Sequence, residues 1–299
     1  MSAITTPIVP HRRSAPATRP VWLGISAAVP VAVVLLAVVL LAVVLAAAVV
    51  LATGMLAGCV PQHSTAVQLH VQVLATLPHD TTMYTEGLEI HDGVLYESSG
   101  LVGQSRVRAT ALSSAATLRE VTLPAPLFGE GLTIAGDRLW QLTWTSGMAI
   151  ERDPVTLARR RAVTYRGEGW GLCHDGHRLV MSDGSDRLTF RDPATFAPSG
   201  RLEVRLDGGP VSALNELDCA DGVIWANVFQ TDRILRINPG TGVVTGVVDA
   251  SGLLSTRPRS PGDVLNGIAA IPGTDEFLVT GKHWPSLFRV RFVPSTPAG

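Results

Sequence analysis

The sequence is poor in the residues on which disulfide-stapled and zinc-bound folds depend. It has three cysteines in 299 residues and a single lysine, Lys282. Three cysteines are too few for a disulfide scaffold or a four-cysteine zinc site. No Cys-x-x-Cys, Gly-x-Ser-x-Gly or phosphate-loop pattern is present. The chain therefore lacks the sequence signatures of dithiol redox, serine-hydrolase and nucleotide-binding sites.

An excess of charge of either sign is also absent. Lys plus Arg number 24 and Asp plus Glu 25, which gives a formal net charge of −1. Nucleic-acid-binding domains carry a basic excess, so this balance predicts no nucleic-acid partner. The charges are unevenly placed, because residues 1–59 contain Arg12, Arg13 and Arg19 but no acidic residue.

Residues 20–61 carry no charge, and residues 31–51 within them are almost wholly Val, Leu and Ala. About 20 such residues cross a bilayer, and the preceding arginines favour a cytoplasmic N-terminus. Leu-Ala-Gly directly before Cys59 resembles a bacterial lipobox, in which the cysteine is lipidated and the signal removed. An uncleaved anchor is the alternative. Both readings make residues 1–59 a signal peptide or membrane anchor. Both also export the remainder to the outer face of the cytoplasmic membrane.

Residues 60–299 repeat one pattern five times: an acid or Asn, a short apolar stretch, a polar turn containing glycine, and a β-rich run. Asp-Gly between such runs favours a hairpin, because glycine supplies positive φ. The turn glycines are 43, 40, 46 and 51 residues apart, the period of a four-stranded propeller blade. They are Gly93, Gly136, Gly176, Gly222 and Gly273.

The repeats predict an all-β fold, a five-bladed β-propeller over residues 70–293. Residues 60–69 are expected to be a linker and residues 294–299 a tail. No stretch shows a convincing helical period. Because the repeats carry their own closed core, we expect a monomer.

The acid or Asn recurs at one point of each repeat, so propeller symmetry should gather these side chains at one mouth of the central channel. Clustered carboxylates raise one another's pKa, which can hold a Glu protonated as a general acid. The alternative is that they cap strand ends. The residues are Glu86, Glu130, Glu168, Asn215, Glu216 and Asn266.

Five tryptophans lie in the β-rich segments. We expect Trp140 and Trp225 to serve ordinary blade packing, and Trp170, directly after Glu168-Gly169, to lie near the mouth. A single lysine in an Arg-rich chain suggests a site that needs a compact ammonium, although genome composition explains the bias equally well.

The cysteines and neighbouring histidines give weaker signals. Cys173 and Cys219 occupy similar places in neighbouring repeats, and we expect buried free thiols there, with a disulfide between repeats as the alternative. Cys173, His174 and His177 flank a hairpin turn, and we interpret them as turn residues rather than zinc ligands.

Taken together, the repeated segments resemble the plant and bacterial glutaminyl-peptide cyclotransferases over about residues 70–292. The segments include Tyr84-Thr85-Glu86-Gly87-Leu88, Leu95 to Ser105, Phe128-Gly129-Glu130-Gly131-Leu132, Gly167-Glu168-Gly169-Trp170, Leu214-Asn215-Glu216-Leu217, Leu265-Asn266-Gly267 and Thr280-Gly281-Lys282-His283-Trp284-Pro285.

The resemblance implies conversion of an N-terminal glutaminyl residue of a peptide or protein to pyroglutamyl, with loss of ammonia and without a required cofactor or metal. It leaves open a structural calcium ion in the channel. Glu130 matches the family's general acid/base, and Lys282 matches a residue that stabilises the developing oxyanion.

The resemblance also implies substrate contacts, with Trp144 and Trp284 as walls. One motif departs from the family pattern: it usually reads Phe-Thr-Gln-Gly-Leu, whereas this chain has Tyr84 and Glu86. The effect of that carboxylate on activity is left open. The implied substrate-binding residues are Tyr84, Glu86, Gln104, Trp144, Glu168, Trp170, Asn215, Glu216, Asn266 and Trp284.

Two other classes of function fit clustered acids on a propeller. A metal-dependent hydrolase such as a lactonase also gathers Glu and Asn at the axis, although such propellers generally have six blades. A non-catalytic surface scaffold needs only the blades.

Overall fold

The computed structural model describes residues 66–254 and 262–295. The expected signal or anchor segment, including Cys59, lies outside these residues. No part of the described ranges is helical, and they contain no helix long and apolar enough to cross a membrane. The all-β prediction is confirmed for the described residues.

The described residues form 22 strands, separated mostly by tight turns. In chain order they are β1 (Val67–Pro78), β2 (Thr85–His91), β3 (Val94–Ser99), β4 (Arg106–Ala111), β5 (Thr117–Thr122), β6 (Gly129–Ala135), β7 (Arg138–Thr143), β8 (Met148–Arg152), β9 (Arg159–Thr164), β10 (Leu172–His174), β11 (Leu179–Met181), β12 (Arg187–Arg191), β13 (Pro198–Glu203), β14 (Arg205–Leu206), β15 (Gly209–Pro210), β16 (Leu214–Ala220), β17 (Val223–Val228), β18 (Arg233–Ile237), β19 (Val244–Asp249), β20 (Leu265–Ala270), β21 (Glu276–Gly281) and β22 (Ser286–Pro294).

Twenty of these strands make five antiparallel groups of four. The groups are β2 to β5, β6 to β9, β10 to β13, β16 to β19, and β20 to β22 completed by β1. Strand β1 pairs antiparallel with β22, from Leu69 opposite Pro294 to Pro78 opposite Ser286, and its first residues pair in parallel with β19. Strand β1 begins at Val67, three residues before the expected boundary at 70, and β22 ends one residue after 293.

The first strands of the groups contact one another in a closed series. Strand β2 contacts β6, β6 contacts β10, β10 contacts β16, β16 contacts β20, and β20 contacts β2. These strands are largely buried, whereas the last strands β5, β9 and β13 are mostly exposed. The first strands therefore surround a common centre.

The hydrophobic core is divided into five clusters, each between two successive groups. Tyr96 and Val107 of the first group pack against Ile134 of the second. The series closes where Leu88 of the first group packs against Leu278 of the fifth. Burying such side chains is worth about 1.5–3 kcal/mol each, so every group is held by both of its neighbours. Trp140 and Trp225 lie in these clusters, as expected.

The turn glycines predicted from the sequence join the first and second strands of each group. All five have positive φ, between 62° and 92°, and nothing lies within 4 Å of a Cβ built on them. The hairpin prediction is confirmed. Glycine is needed at these positions for its backbone conformation and not for lack of space, because a larger residue would fit but would be strained at positive φ.

The prediction of buried free thiols at Cys173 and Cys219 was wrong. Cys173 of β10 and Cys219 of β16 form a disulfide, with their Cα atoms 5.5 Å apart. The first strands of the third and fourth groups lie side by side, which brings the two Cα atoms within the distance that a disulfide can span. His177 lies in the turn after β10, where Asp175 Oδ1 accepts a hydrogen bond from its backbone N–H.

Candidate active site

The register of the five first strands shows which residues are equivalent. In each group, one residue of the first strand pairs with one residue of the second strand at the same point of the repeat. Leu88 pairs with Glu97, Leu132 with Gln141 and Leu172 with Met181. The residues two places before these paired first-strand residues form a ring at one end of the space that the first strands surround. The ring consists of Glu86, Glu130, Trp170, Asn215 and Asn266.

This ring corrects the alignment of the third repeat. Glu168 was expected beside Glu86 and Glu130, but Trp170 occupies the equivalent position. The pairing shows this, because Trp170 stands two places before Leu172, just as Glu130 stands two places before Leu132. Glu168-Gly169 has the composition of the motif but lies two residues too early, so Glu168 stands at the rim.

Glycine follows the ring residue in four groups because the first strands approach closely there. A Cβ on Gly87 would lie 2.7 Å from Leu132 N, and one on Gly131 would lie 2.6 Å from Leu172 N. In the fourth group Glu216 takes this position. Its carboxylate accepts from Leu88 N–H at 3.2 Å and Ile268 N–H at 2.8 Å, so it ties first strands together across the centre.

A second set of equivalent residues stands three places after the paired residue of each second strand. Trp144, Phe229 and Lys282 stand there in the second, fourth and fifth groups. The other two groups have Gly100 and Gly184, where a Cβ would lie 2.4 Å from the ring of Phe128 and 2.7 Å from that of Trp170. Each glycine thus makes room for an aromatic ring of a neighbouring segment.

The two sets enclose a cavity of about 280 Å³ at this end of the centre. Its walls are aromatic: Phe128 and Trp144 lie 5.6 Å apart between ring centroids, and Trp170 and Phe229 lie 5.5 Å apart. The lining residues are Tyr84, Glu86, Phe128, Glu130, Trp144, Trp170, Asn215, Phe229 and Lys282.

Three ionisable groups, Lys282, Glu86 and Glu130, meet at the base of this cavity. Lys282 Nζ donates to Glu86 Oε1 at 2.6 Å, and Asn266 Nδ2 donates to Glu86 Oε2 at 3.2 Å. The Glu86 and Glu130 carboxyl groups are hydrogen-bonded to each other. The Lys282 ammonium also lies 4.5 Å above the Tyr84 ring centroid, within range of a cation–π contact.

The surroundings assign the proton in this pair of carboxyl groups. Burial, and next the charges of Glu86 and Glu168, raise the pKa of Glu130 well above its ordinary value, against the opposing effect of Lys282. Burial raises the pKa of Glu86 to about 7, with Lys282 opposing it. Since both cationic and amide donors face Glu86, that group is the ionised partner and Glu130 keeps the proton. Clustered like charges in a partly desolvated channel were expected to raise this pKa, and burial is the larger of the two causes.

The remaining polar groups lie at the wall and the rim. Asn215 lines the cavity, and its buried Oδ1 has no hydrogen-bond donor among the described residues. Exposed Glu168 accepts from the indole N–H of Trp144 at 2.7 Å and of Trp170 at 2.9 Å. Glu168 therefore fixes the orientation of two wall residues rather than lining the cavity.

Besides Glu168, four expected substrate-contact residues do not line the cavity. Gln104 is exposed in the turn before β4, and Glu216 is used between first strands. Asn266 lies behind Glu86 and donates to it and to the carbonyl of Thr85. Trp284 is fully buried, with its indole N–H donating to the carbonyl of Asp263, so it is core and not a wall.

Two residues that line the cavity, Phe128 and Phe229, were not among the substrate contacts predicted from the sequence. Phe128 stands two residues before Glu130, as Tyr84 does before Glu86, and side chains at i and i+2 of a strand share a face. Phe229 follows the second strand of its group, as Trp144 does. The two-residue periodicity of strands identifies Phe128, and the register of the repeats identifies Phe229.

The arrangement suits acid/base chemistry on a small polar group. A carboxylic acid, an ammonium and an amide oxygen with no donor among the described residues converge on a space walled by aromatic rings. Within residues 66–254 and 262–295, no three His, Cys, Asp or Glu side chains are grouped so as to hold a metal ion.

Comparison with known proteins gives one consistent family. A family model described as glutamine cyclotransferase matches residues 41–292. The glutaminyl-peptide cyclotransferase of Arabidopsis thaliana is 37% identical over 228 residues, which are 74% of this chain and 71% of that protein. The crystal structure of Myxococcus xanthus glutaminyl cyclase is 42% identical, with a TM-score of 0.73, covering 77% of this chain and 100% of that one. The chain therefore belongs to the glutamine cyclotransferase family.

Proposed function

We propose that this chain converts the N-terminal glutaminyl residue of peptides or proteins to pyroglutamyl and releases ammonia. The observation that carries the proposal is the buried Glu130 at the base of an aromatic cavity of about 280 Å³, where burial raises its pKa well above the ordinary value. A cavity of that size suits the first residue of a peptide. The family supports the same reaction.

The reaction is an intramolecular acyl transfer. The neutral α-amine attacks the side-chain carbonyl carbon, forming the new C–N bond and a tetrahedral intermediate with a negative oxygen. The old C–N bond then breaks, and the departing nitrogen needs a proton. Glu130 donates that proton and takes one from the former α-amine, so the enzyme ends unchanged.

Other lining groups would orient the substrate. The unpaired Oδ1 of Asn215 suits an N–H donor such as the α-amine. Lys282 gives one N–H to Glu86 and has two more donors, so it can still stabilise the negative oxygen. The aromatic walls exclude water, which strengthens both interactions.

Ammonia release from a Gln-initiated dipeptide by the full-length chain tests the proposal, with and without a chelator. We expect equal turnover in both conditions. Turnover lost on chelation would favour a metal-dependent hydrolase, and no ammonia in either condition would overturn the cyclotransferase assignment.

We further propose that the five four-stranded groups are the blades of a five-bladed propeller that is monomeric in solution. The closed series of first strands and the shared fifth group of β22 and β1 support the first part. Sedimentation at several protein concentrations tests the second, since a mass that rises with concentration would contradict a monomer.

Finally, we propose that residues 1–59 export the chain and hold it at the outer face of the cytoplasmic membrane through lipid on Cys59. The support is the uncharged run, the arginines before it and the small residues before Cys59. Labelled fatty acid should enter the wild-type chain but not Cys59→Ala. No label in either would leave an uncleaved anchor.

A further inference from the structure

A second and larger cavity, of about 620 Å³, lies between the second and third groups, beside β9, β12 and β13. Four arginines line it, whereas Asp183 is its one acidic lining residue. We call it the basic cavity. The four are Arg166, Arg187, Arg191 and Arg201.

Arg191 is the buried member of this set, with 7% of its surface exposed. Arg152 is its equivalent in the second group. Arg191 pairs with Leu179 and Arg152 with Leu139, and each leucine lies two places before the equivalent residues Met181 and Gln141. Both donate to a backbone carbonyl five residues on, which is a structural role. Arg152, however, also gives two hydrogen bonds to Gln141 Oε1.

Arg191 has no such oxygen. Met181 stands where Gln141 does, and its Sδ, 3.0 Å from Arg191 Nε, is a weak acceptor. The guanidinium lies 5.2 Å from the Tyr165 ring centroid and 4.7 Å from that of Phe196. No carboxylate in the described part of the chain forms an ion pair with it. A buried cation without an anion is costly, so the site favours an incoming anion.

The other arginines add uncompensated charge. Arg166 and Arg201 are exposed, and neither forms an ion pair with a described residue. Arg187 Nε lies 3.6 Å from Asp186 Oδ1. Asp183 Oδ1 accepts from the backbone N–H of Ser185 at 3.1 Å and from its hydroxyl at 2.5 Å. The basic cavity therefore has a net positive charge.

The basic cavity adjoins the active-site cavity through one loop. The Trp170 ring, a wall of the active site, rests on Gly184. The residues on either side of that glycine, Asp183 and Ser185, line the basic cavity. An extended peptide advances about 3.3–3.6 Å per residue, so a chain whose first residue is in the active site can cross Trp170 within a few residues.

We propose that the basic cavity binds a carboxylate of the substrate peptide beyond its first residue, so that the enzyme prefers Gln-initiated peptides with an acidic residue downstream. The proposal rests on the proposed cyclotransferase activity and names its substrate class.

The first experiment compares Gln-initiated hexapeptides in which one Glu is moved through positions 2 to 6, with an all-neutral peptide as reference. At low salt, we expect kcat/KM to be highest for Glu at one of the later positions, mainly through KM. In the double variant Arg166→Gln/Arg201→Gln, the ratio of kcat/KM for the acidic peptide to that for the neutral peptide should fall roughly three- to tenfold. Two exposed ion pairs contribute about that much. Turnover of the neutral peptide should not change.

The matched control is Arg119→Gln/Arg233→Gln, which removes the same charge from exposed positions on other groups. It should keep the preference, whereas added salt should weaken it in the wild type. An equal acid preference in both double variants, or no preference in the wild type, would overturn the proposal.

A binding measurement separates this proposal from the proposed function. The full-length chain is titrated with a pyroglutamyl hexapeptide carrying Glu at the preferred position, or at each later position in turn if no turnover is seen. Weaker binding to Arg166→Gln/Arg201→Gln than to the control variant supports the basic cavity even if no ammonia is released. Equal binding contradicts it, even if the cyclotransferase activity is confirmed.

Discussion

Lys282 Nζ lies 2.6 Å from Glu86 Oε1, and both side chains are almost fully buried. Burial opposes a charged ammonium, but the charges of Glu86 and Glu130 together raise the pKa of Lys282. The single lysine of the chain is therefore held cationic beside the ionised Glu86, whose neighbour Glu130 keeps its proton. Glu86 thus adds to the cavity a negative charge that an amide at this position would not bring.

Replacing the carboxyl group of Glu130 should stop turnover without unfolding the chain. General acid/base catalysis is worth about 10²–10⁴ in rate, so Glu130→Gln should lose at least that much in kcat. Glu168→Gln is the matched control, because its amide oxygen can still accept from the two indole N–H groups, and it should retain most of the rate. The opposite ranking in steady-state ammonia release would mean that Glu130 is the wrong carboxyl group.

The ion pair should show strong coupling in a double-mutant cycle. Lys282→Met leaves Glu86 without its cation and should cost up to about 3–5 kcal/mol of unfolding free energy at pH 8. The cost should shrink at pH 5, because Glu86 then binds a proton. Lys282→Met/Glu86→Gln should recover much of the loss in denaturant unfolding. Additive single-variant effects at pH 8 would argue against a buried ion pair.

Glu86→Gln should move the alkaline limb of the kcat/KM profile to lower pH. The Glu86 charge raises the pKa of Glu130, whereas Lys282 lowers it. Removing Glu86 therefore lowers the pKa of Glu130, and the proton-donating form is lost earlier as pH rises. The acidic limb should stay, because it reflects the α-amine of the free substrate.

The check is a pair of full pH profiles on one dipeptide, with the exposed carboxyl variant Glu120→Gln as control. Superimposable wild-type and Glu86→Gln alkaline limbs would show that the Glu86 charge does not act on Glu130.

The sequence predicted the repeated strands well because turn chemistry is local. An Asp-Gly or similar pair needs positive φ wherever it occurs, and all five turn glycines have it. The position of Glu130 and Lys282 at one cavity was predicted too, through the repeat and the family resemblance.

Register and pairing partners were not predictable in the same way, because they depend on contacts between distant segments. Glu168-Gly169 has the composition of the ring motif, and only the pairing of Leu172 with Met181 places Trp170 there. Trp284 and Trp144 look alike in sequence, yet one is buried and the other 39% exposed. Local composition does not determine which face of a neighbouring group a side chain meets.

The disulfide should stabilise the chain by restricting its unfolded state. Cys173 and Cys219 are 46 residues apart in sequence, and a loop of that length corresponds to about 4 kcal/mol in the chain-entropy account. Cys173→Ser/Cys219→Ser should unfold at lower denaturant concentration and be insensitive to reductant. Wild-type unfolding that is unchanged by reductant would contradict the bond.

Glu216 should make the stability of the fold depend on pH. Burial, and next the charge of Asp218, raise its pKa well above the ordinary value of 4.5, against two backbone hydrogen bonds. The folded state thus holds this proton more tightly than the unfolded chain. The stabilisation is complete below about pH 4.5 and is lost as pH rises towards the folded pKa, at about 1.4 kcal/mol per pH unit for one proton.

Glu216→Gln should therefore flatten the pH dependence. Its amide has the shape of the protonated acid, with one oxygen that accepts from a backbone N–H and no group that titrates. Because the second backbone N–H then loses its acceptor, we expect a free energy of unfolding about 1–3 kcal/mol below that of the wild type at pH 5. We also expect a smaller decline between pH 5 and pH 8. Denaturant titrations at intervals across that range measure it, with Glu120→Gln as the exposed control. Parallel wild-type and Glu216→Gln curves would show that Glu216 is already ionised at pH 5, held by its two backbone donors.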